Sequence, residues 1–263
     1  MKIKHLWLLI LAIAPMHAAG QIIHLYLAQR WYQITHYTET NFCQSFAIGT
    51  LFSDIRYLIP TINRQQTHSK ASLDRVYLYS ERALKGNSYY AFVAGMVFHS
   101  FIDYLREGFV VKNKVYDLLK SKGALEKEIE TFLKRIEDEL FFDMTARDAT
   151  IINLREIGAE EIYCVQQHVQ STEILIKWHE NLVRFLTNKV SELFAGCVSE
   201  KTSIYKHIPC ELQVIWSELL PQLLHDPEVV ELVTKTFTDV ENFLLVEQYK
   251  SQSGSINEKE IYR

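Results

Sequence analysis

The stretch Tyr89–Asp103, with the sequence YYAFVAGMVFHSFID, is the most apolar part of the chain and carries one histidine and one carboxylate. His99 and Asp103 are four positions apart, so a helix places both on one face, one turn from each other. A carboxylate in apolar surroundings is costly unless its charge is compensated. Two explanations stay open: a bound metal ion, and a His–Asp hydrogen bond inside an ordinary core.

The rest of the chain indicates an all-α fold. Its 263 residues are 48% hydrophobic and 23% charged, with only 9 Gly and 5 Pro. Apolar residues recur at helical spacing and no run alternates with period two, which favours helices over strands. The Glu and Lys residues of 124–147 are expected on a solvent-exposed helix face, and Asn41 is expected to cap the second helix. We predict helices over 21–37, 42–58, 73–84, the apolar stretch up to about Gly108, 114–120, 124–147, 148–189, 190–195, 210–224 and 229–249.

The N-terminus predicts an export signal. Lys2 and Lys4 precede an apolar run of 9 residues, Leu6–Ala14, and Gly20 ends a small-residue cleavage site. The run is shorter than the roughly 18–20 residues of a membrane span, although an uncleaved anchor is the alternative. We therefore expect a signal peptide over 1–20, a single helical domain over 21–249 and a disordered tail over 250–263. The mature protein would be secreted or periplasmic, without a transmembrane span.

Charge and cysteine content narrow the function classes. Loss of residues 1–20 removes two lysines and changes the net charge from −4 to −6, so no duplex nucleic acid is expected as a partner. Four cysteines are compatible with an oxidising compartment. Cys197 and Cys210 flank a loop and are the preferred disulfide pair, although connectivity cannot be read from sequence. No P-loop, dinucleotide-binding motif or nucleophile elbow is present.

Three further polar residues stand out against their surroundings. His24 lies in the first predicted helix, Asp54 near the end of the second, and His68 in a polar stretch after it. Taken singly, each has an ordinary explanation as a core histidine, a paired carboxylate or a solvated side chain. Together with His99 and Asp103 they supply the nitrogen and oxygen donors that zinc takes readily.

The order and spacing of these residues resemble the zinc-dependent phospholipase C family and its relatives, the S1/P1 nucleases. The segment Gly49-Thr-Leu-Phe-Ser-Asp54, the 14-residue interval from Asp54 to His68 and the pair His99-x3-Asp103 carry the resemblance, which covers residues 21–147. It implies a multi-helix phospholipase C/P1 nuclease-like bundle. It also implies an exported phosphodiesterase that holds one to three zinc ions.

The resemblance also implies roles for individual residues. The zinc ligands would be His24, Asp54, His68, His99 and Asp103. A second oxygen of Asp103 would bridge to a metal that His24 also binds, and Asp54 could instead orient the attacking water as a catalytic residue. The family has a further His-x3-carboxylate pair on the next long helix, where this chain has Glu139 and Asp143. These are the remaining ligand candidates, and carboxylates alone would favour harder ions.

The predicted function is that of a hydrolase in which a metal-activated water attacks a phosphodiester. The substrate would be a phosphodiester, with a phospholipid head group among the candidates, and Arg56 or Arg64 would neutralise its phosphate. Two alternatives stay open. One is a non-catalytic helical protein that keeps a structural metal site and binds a partner. The other is an unrelated helical protein whose buried His and Asp residues pair with one another.

Overall fold

The structure is a computed structural model that describes residues 20–57, 68, 72–85, 88–126, 128–145, 178, 180, 182 and 210–252. This part of the chain is helical and contains no strand, which confirms the predicted all-α fold. The helices are α1 (Gln21–Thr35), α2 (Thr40–Phe52), α3 (Leu73–Leu84), α4 (Ser88–Lys112), α5 (Val115–Ser121), α6 (Ile129–Phe142), α7 (Cys210–His225) and α8 (Pro227–Gln252). A short 3-10 helix, Ser53–Tyr57, follows α2 directly.

Helix α4, which contains the apolar stretch, is the centre of the described fold. It packs most closely against α2 and α3 and also contacts α1, α5, α8 and the 3-10 helix. Large aromatic side chains fill the space around it: the ring centroid of Phe98 lies 5.3 Å from that of Phe46 and 5.7 Å from that of Trp31. All three side chains are fully buried, and burial of such large apolar surfaces is the main force that assembles the bundle.

Two glycines allow α2 and α4 to approach closely. A Cβ atom on Gly49 would lie 2.0 Å from the carbonyl oxygen of Phe92, and one on Gly95 would lie 2.1 Å from that of Phe46. No side chain fits at these distances, so only glycine permits the crossing. Gly95 precedes His99 by one turn, and Gly49 precedes Asp54 by five residues. The glycine contact therefore sets how near these two elements bring their polar side chains.

Several helix boundaries differ from the sequence-based expectations. Helix α2 starts at Thr40 after Glu39, so Asn41 lies inside the helix and the prediction that it is the cap was wrong. Helix α4 continues through Gly108 to Lys112. A glycine costs a helix only about 1 kcal/mol, and burial of residues beyond it, such as Val110, offsets that cost.

The boundaries of two other helices also differ from the predicted ones. Helix α6 starts at Ile129 rather than at residue 124, and α8 extends to Gln252, into the segment predicted as a disordered tail. The helices predicted over 148–189 and 190–195 lie almost wholly outside the described residues. Within them Trp178, Glu180 and Leu182 are described and helical.

Candidate metal centre

Five of the predicted ligands come together beside α4. His24 is on α1, Asp54 is the second residue of the 3-10 helix, and His68 precedes α3. His99 and Asp103 are one turn apart on α4. Their side chains are at most 6% exposed. Four separate segments of the chain thus place three imidazoles and two carboxylates in one buried cluster, which we call the His/Asp cluster.

Asp103 is at the centre of this cluster. Its Oδ1 lies 3.1 Å from His24 Nε2, while its Oδ2 lies 3.4 Å from His68 Nε2 and 3.6 Å from His99 Nε2. His99 Nε2 also lies 3.7 Å from the Oδ1 of Asp54. The ring of His24 stacks on that of His99 with centroids 3.8 Å apart. The Nε2 atoms of all three histidines therefore face carboxylate oxygens.

These separations match those between ligands of a common metal ion. Ligand atoms about 2.0–2.1 Å from a tetrahedral zinc ion are about 3.4 Å from one another. His99 Nε2 is buried and makes no hydrogen bond to a described residue, although two carboxylates lie within 4 Å of it. A buried nitrogen without a hydrogen bond is costly. A metal ion between the donor atoms would remove that cost.

The described residues form two candidate ligand groups of this kind. One contains His24, His99 and Asp103, and the other contains Asp54, His68 and His99. In each group the ligand atoms lie within 4.8 Å of one another. The two groups share His99, so they are parts of one cluster rather than two separate sites. Buried His and Asp residues of this fold can hold a metal ion.

The electrostatics of the cluster favour the protonation states that metal binding requires at His99 and Asp103 and oppose them at Asp54. Burial, reinforced by the neighbouring His24, lowers the pKa of His99 well below its usual range, so its imidazole is neutral and has a lone pair to offer. Burial alone would raise the pKa of Asp103, but the nearby histidines outweigh it and hold that pKa well below the usual range. Burial and the charge of Asp103 raise the pKa of Asp54.

Hydrogen bonds from α1 and to α1 hold the cluster in place. Gln21 Nε2 donates to Asp54 Oδ2 at 2.6 Å, on the side of the carboxylate away from the oxygen nearest His99. Asp138 Oδ1 on α6 accepts from the backbone N–H groups of Ile22 at 3.0 Å and Ile23 at 3.4 Å. A carboxylate at a helix N-terminus satisfies donors that the helix leaves unpaired. The start of α1, and with it His24, is therefore fixed against α6.

The charged residues of α6 were expected on an exposed face, and that expectation was wrong. Glu130, Lys134, Glu137 and Asp138 are all buried. Their spacing of i, i+4, i+7 and i+8 is that of a single helix face. Apolar residues at the same spacing would have predicted a helix face that packs against the core. The spacing was therefore visible in the sequence, but the charges led to the prediction that this face is exposed to solvent. We call these four residues the buried charged face of α6.

Arginine and lysine balance part of this buried negative charge. Arg106 is one turn beyond Asp103 on α4; its Nε donates to Glu137 Oε1 at 2.9 Å and its Nη1 to Glu130 Oε1 at 3.0 Å. The Lys134 side chain interacts electrostatically with Asp54 and Asp103 as well as with Glu130. Burial lowers the pKa of Lys134 to about 8. The buried charged face of α6 thus continues the His/Asp cluster.

Other predicted site residues are not brought into the cluster. Glu139 is half-buried and Asp143 is exposed, and neither belongs to the ligand groups that the described residues form. Their role as ligands stays a prediction. Arg64, the Arg56 side chain, the proposed Cys197–Cys210 pair and the predicted signal up to residue 19 lie outside what the structure describes.

No family model, no curated protein and no solved structure matches this chain. None of the described helices is long and apolar enough to cross a membrane.

Proposed function

We propose that this protein is a metal-dependent phosphodiester hydrolase that resembles zinc-dependent phospholipase C. One observation carries the proposal: five residues named from their order along the chain lie in one buried cluster with donor atoms at metal-ligand separations. The proposed fold is the multi-helix bundle of that family. The proposed location is outside the cytoplasm, in keeping with the expected signal over residues 1–20.

Zinc is the proposed ion. The cluster offers imidazole nitrogens and carboxylate oxygens, a mixture that zinc accepts readily, whereas magnesium and calcium favour oxygen-only sites. Bound there, the ion would supply Lewis-acid chemistry by polarising a phosphoryl oxygen and lowering the pKa of a water molecule. The neutral state of His99 supports this choice.

The protein's own residues would orient and deprotonate the attacking water. Asp54 is the proposed base: Gln21 fixes its Oδ2, and its Oδ1 faces the histidines and would take the proton. Burial raises the pKa of Asp54, which makes the carboxylate a stronger base than one in water. Asp103 would keep the three histidines aimed at one point. The proposed substrate class is a phosphodiester, including a phospholipid head group.

A second candidate function is a structural metal site in a non-catalytic binding protein. The observation that favours it is the burial of the cluster, in which no side chain is more than 6% exposed. A catalytic metal keeps a position open to water and substrate, while a structural one is closed. In this case the ion would join α1, α4 and the segments that carry Asp54 and His68.

Hydrolysis of bis(4-nitrophenyl) phosphate by the zinc-loaded protein tests the proposal. We expect turnover that is lost on dialysis against a chelator and falls at least 100-fold in His99→Ala. His225→Ala is the matched control, because His225 is exposed on α7 and its Nδ1 lies 2.8 Å from the Pro221 carbonyl oxygen. Bound zinc without turnover above that of His99→Ala would favour the structural site. A protein that binds no zinc would exclude both functions.

A further inference from the structure

A glutamine contacts the His/Asp cluster from the first turn of α1. Gln21 Nε2 donates to Asp54 Oδ2 at 2.6 Å, and His24, three positions further along the helix, lies 3.1 Å from Asp103. Residues three apart lie on one face of a helix. One face of α1 therefore supplies a side chain to each of the two carboxylates of the cluster, and the Gln21 amide is its contact with Asp54.

The Gln21 amide also has an acceptor that the described residues do not use. Gln21 is half-buried, but its Oε1 atom is buried and accepts no hydrogen bond from the residues that the structure describes. An amide oxygen has two lone pairs, and burial of an acceptor without a donor is costly. A bound molecule that carries an O–H group would remove this cost.

This acceptor is close enough to Asp54 to share one water molecule with it. The oxygen and nitrogen of an amide are about 2.2 Å apart, so the 2.6 Å hydrogen bond keeps Gln21 Oε1 within about 5 Å of Asp54 Oδ2. A water molecule that donates both hydrogens at roughly 2.8 Å holds two acceptors about 4–5 Å apart. Asp54 and Gln21 can therefore each accept one hydrogen of the same water.

The backbone on both sides of Gln21 is held by α6. Asp138 Oδ1 accepts from the N–H groups of Ile22 and Ile23, the two residues that follow Gln21. The preceding residue is also confined, because a Cβ atom on Gly20 would lie 1.9 Å from the same oxygen. A backbone fixed in this way limits where the amide can reach, and precise placement is what orienting a reactant requires.

We propose that Gln21 binds the attacking water together with Asp54. The proposal rests on the proposed function, in which Asp54 is the base. One hydrogen of the water passes to Asp54 while the water oxygen forms the new bond to phosphorus, and the alkoxide or phenolate leaves with the electron pair of the P–O bond that breaks. The second hydrogen stays on the oxygen and is held by Gln21 Oε1, which aims the oxygen lone pair at phosphorus.

A site of this kind selects water over an alcohol as the nucleophile. Methanol has a single O–H hydrogen, which Asp54 would take. Its methyl group would then face Gln21 Oε1 and leave that buried acceptor unpaired. A site that bonds a polar group rejects an analogue that lacks the group, because its own buried polar atoms are left without a partner.

The products formed in a methanol–water mixture test the proposal. Attack on bis(4-nitrophenyl) phosphate by water gives 4-nitrophenyl phosphate, and attack by methanol gives methyl 4-nitrophenyl phosphate; phosphorus NMR separates them. Gln21→Met keeps an unbranched side chain but lacks the acceptor, so its ratio of methyl ester to 4-nitrophenyl phosphate should rise at least about fivefold. Gln33→Met is the matched control with an unchanged ratio, because Gln33 is exposed on the same helix and accepts from Arg30.

The ratio does not depend on how much of a variant folds, and a second variant separates the two ends of the amide. Gln21→Glu keeps an acceptor oxygen but lacks the N–H donor to Asp54, so its ratio should stay within about twofold of the wild type. A smaller rise in Gln21→Met, loss of both products in that variant, or an equal rise in Gln21→Glu would overturn the proposal, since each would mean that Gln21 acts only by holding Asp54.

Two further measurements do not use turnover. Calorimetric titration should give Gln21→Met a zinc affinity within about threefold of the wild type, because amide oxygens are ligands of harder ions. A larger loss would make Gln21 a metal ligand and overturn the proposal. A crystal structure of the wild type should show a water oxygen within about 3.2 Å of both Gln21 Oε1 and an Asp54 oxygen, and its absence would also overturn the proposal.

Failure of the proposal and failure of the proposed function can be told apart. Turnover by the zinc-loaded wild type, with an unchanged product ratio in Gln21→Met, overturns only the role of Gln21. Absence of turnover in the wild type overturns the hydrolase and, with it, the attacking water that Gln21 would bind.

Discussion

Asp103 shows how one residue can organise a site that is spread over four chain segments. Each of its oxygens faces a different set of imidazoles, one toward His24 and the other toward His68 and His99. Because these histidines also hold the pKa of Asp103 well below its usual range, the carboxylate stays ionised in spite of its burial. The i, i+4 spacing to His99 was readable from sequence, but the other two contacts come from residues 79 and 35 positions away.

A second buried carboxylate predicts a pH dependence of stability. Burial raises the pKa of Asp138 to about 6 from its usual 3.8, so the folded state binds this proton more tightly than the unfolded state. The stabilisation is fully present below about pH 4 and is lost as the pH rises to about 6. At 1.36 kcal/mol per unit this amounts to roughly 3 kcal/mol.

The Asp138→Asn variant isolates this effect, because its amide oxygen can still accept from the N–H groups of Ile22 and Ile23 but does not titrate. Urea unfolding of both chelator-treated proteins should be compared at pH 4 and pH 7. The free energy of unfolding of the wild type relative to the variant should fall by roughly 2.5 kcal/mol between these values, slightly less than the full effect because the unfolded carboxyl is already partly ionised at pH 4. A constant difference would contradict the assignment.

At the scale of elements, the crossing of α2 and α4 predicts which glycines are essential. Gly49→Ala and Gly95→Ala each place a methyl group about 2 Å from a backbone carbonyl oxygen of the other helix. Overpacking against backbone costs about 3 kcal/mol or more, so both variants should lower the thermal midpoint and weaken zinc binding by separating Asp54 from His99. Circular dichroism and zinc titration measure the two effects.

Gly108 provides the matched control on the same helix. A Cβ atom at Gly108 meets nothing within 4 Å, so Gly108→Ala should stabilise the protein by about 0.5–1 kcal/mol through its higher helix propensity and leave zinc affinity unchanged. If all three glycine variants behaved alike, close packing would not be the reason for the glycines.

Element boundaries show what local sequence can and cannot predict. Helix α3 was predicted over Leu73–Leu84 and is found there, because Ser72 accepts a hydrogen bond from the N–H of Arg75 as an N-cap does. The end of α4 was misplaced at Gly108, since a glycine ends a helix only where tertiary contacts do not continue it. A side-chain cap such as that of Ser72 sets a helix end from the local sequence. Where no such cap is present, the tertiary contacts of the last residues set the helix end.

At the scale of the whole molecule, a metal ion in the cluster would tie α1, α4, the 3-10 helix and the segment of His68 together. None of these ligand sets exists in the unfolded chain, so binding free energy becomes folding free energy. Saturating zinc at 1,000 times its dissociation constant should stabilise the protein by about 4 kcal/mol. Thermal unfolding with zinc and with chelator measures this shift. His99→Ala should show none of it, and an equal shift in that variant would indicate binding elsewhere.

The sequence by itself determined the all-α architecture and placed His99 and Asp103 on one helix face, because helical periodicity and the i, i+4 spacing are local properties. His24, Asp54 and His68 were named from a resemblance in order and spacing, and only the tertiary structure brings them to Asp103 and His99. Only the tertiary structure decided that the charged face of α6 is buried. Charged residues at helical spacing can face either solvent or a compensating cluster, and the choice depends on what packs against them.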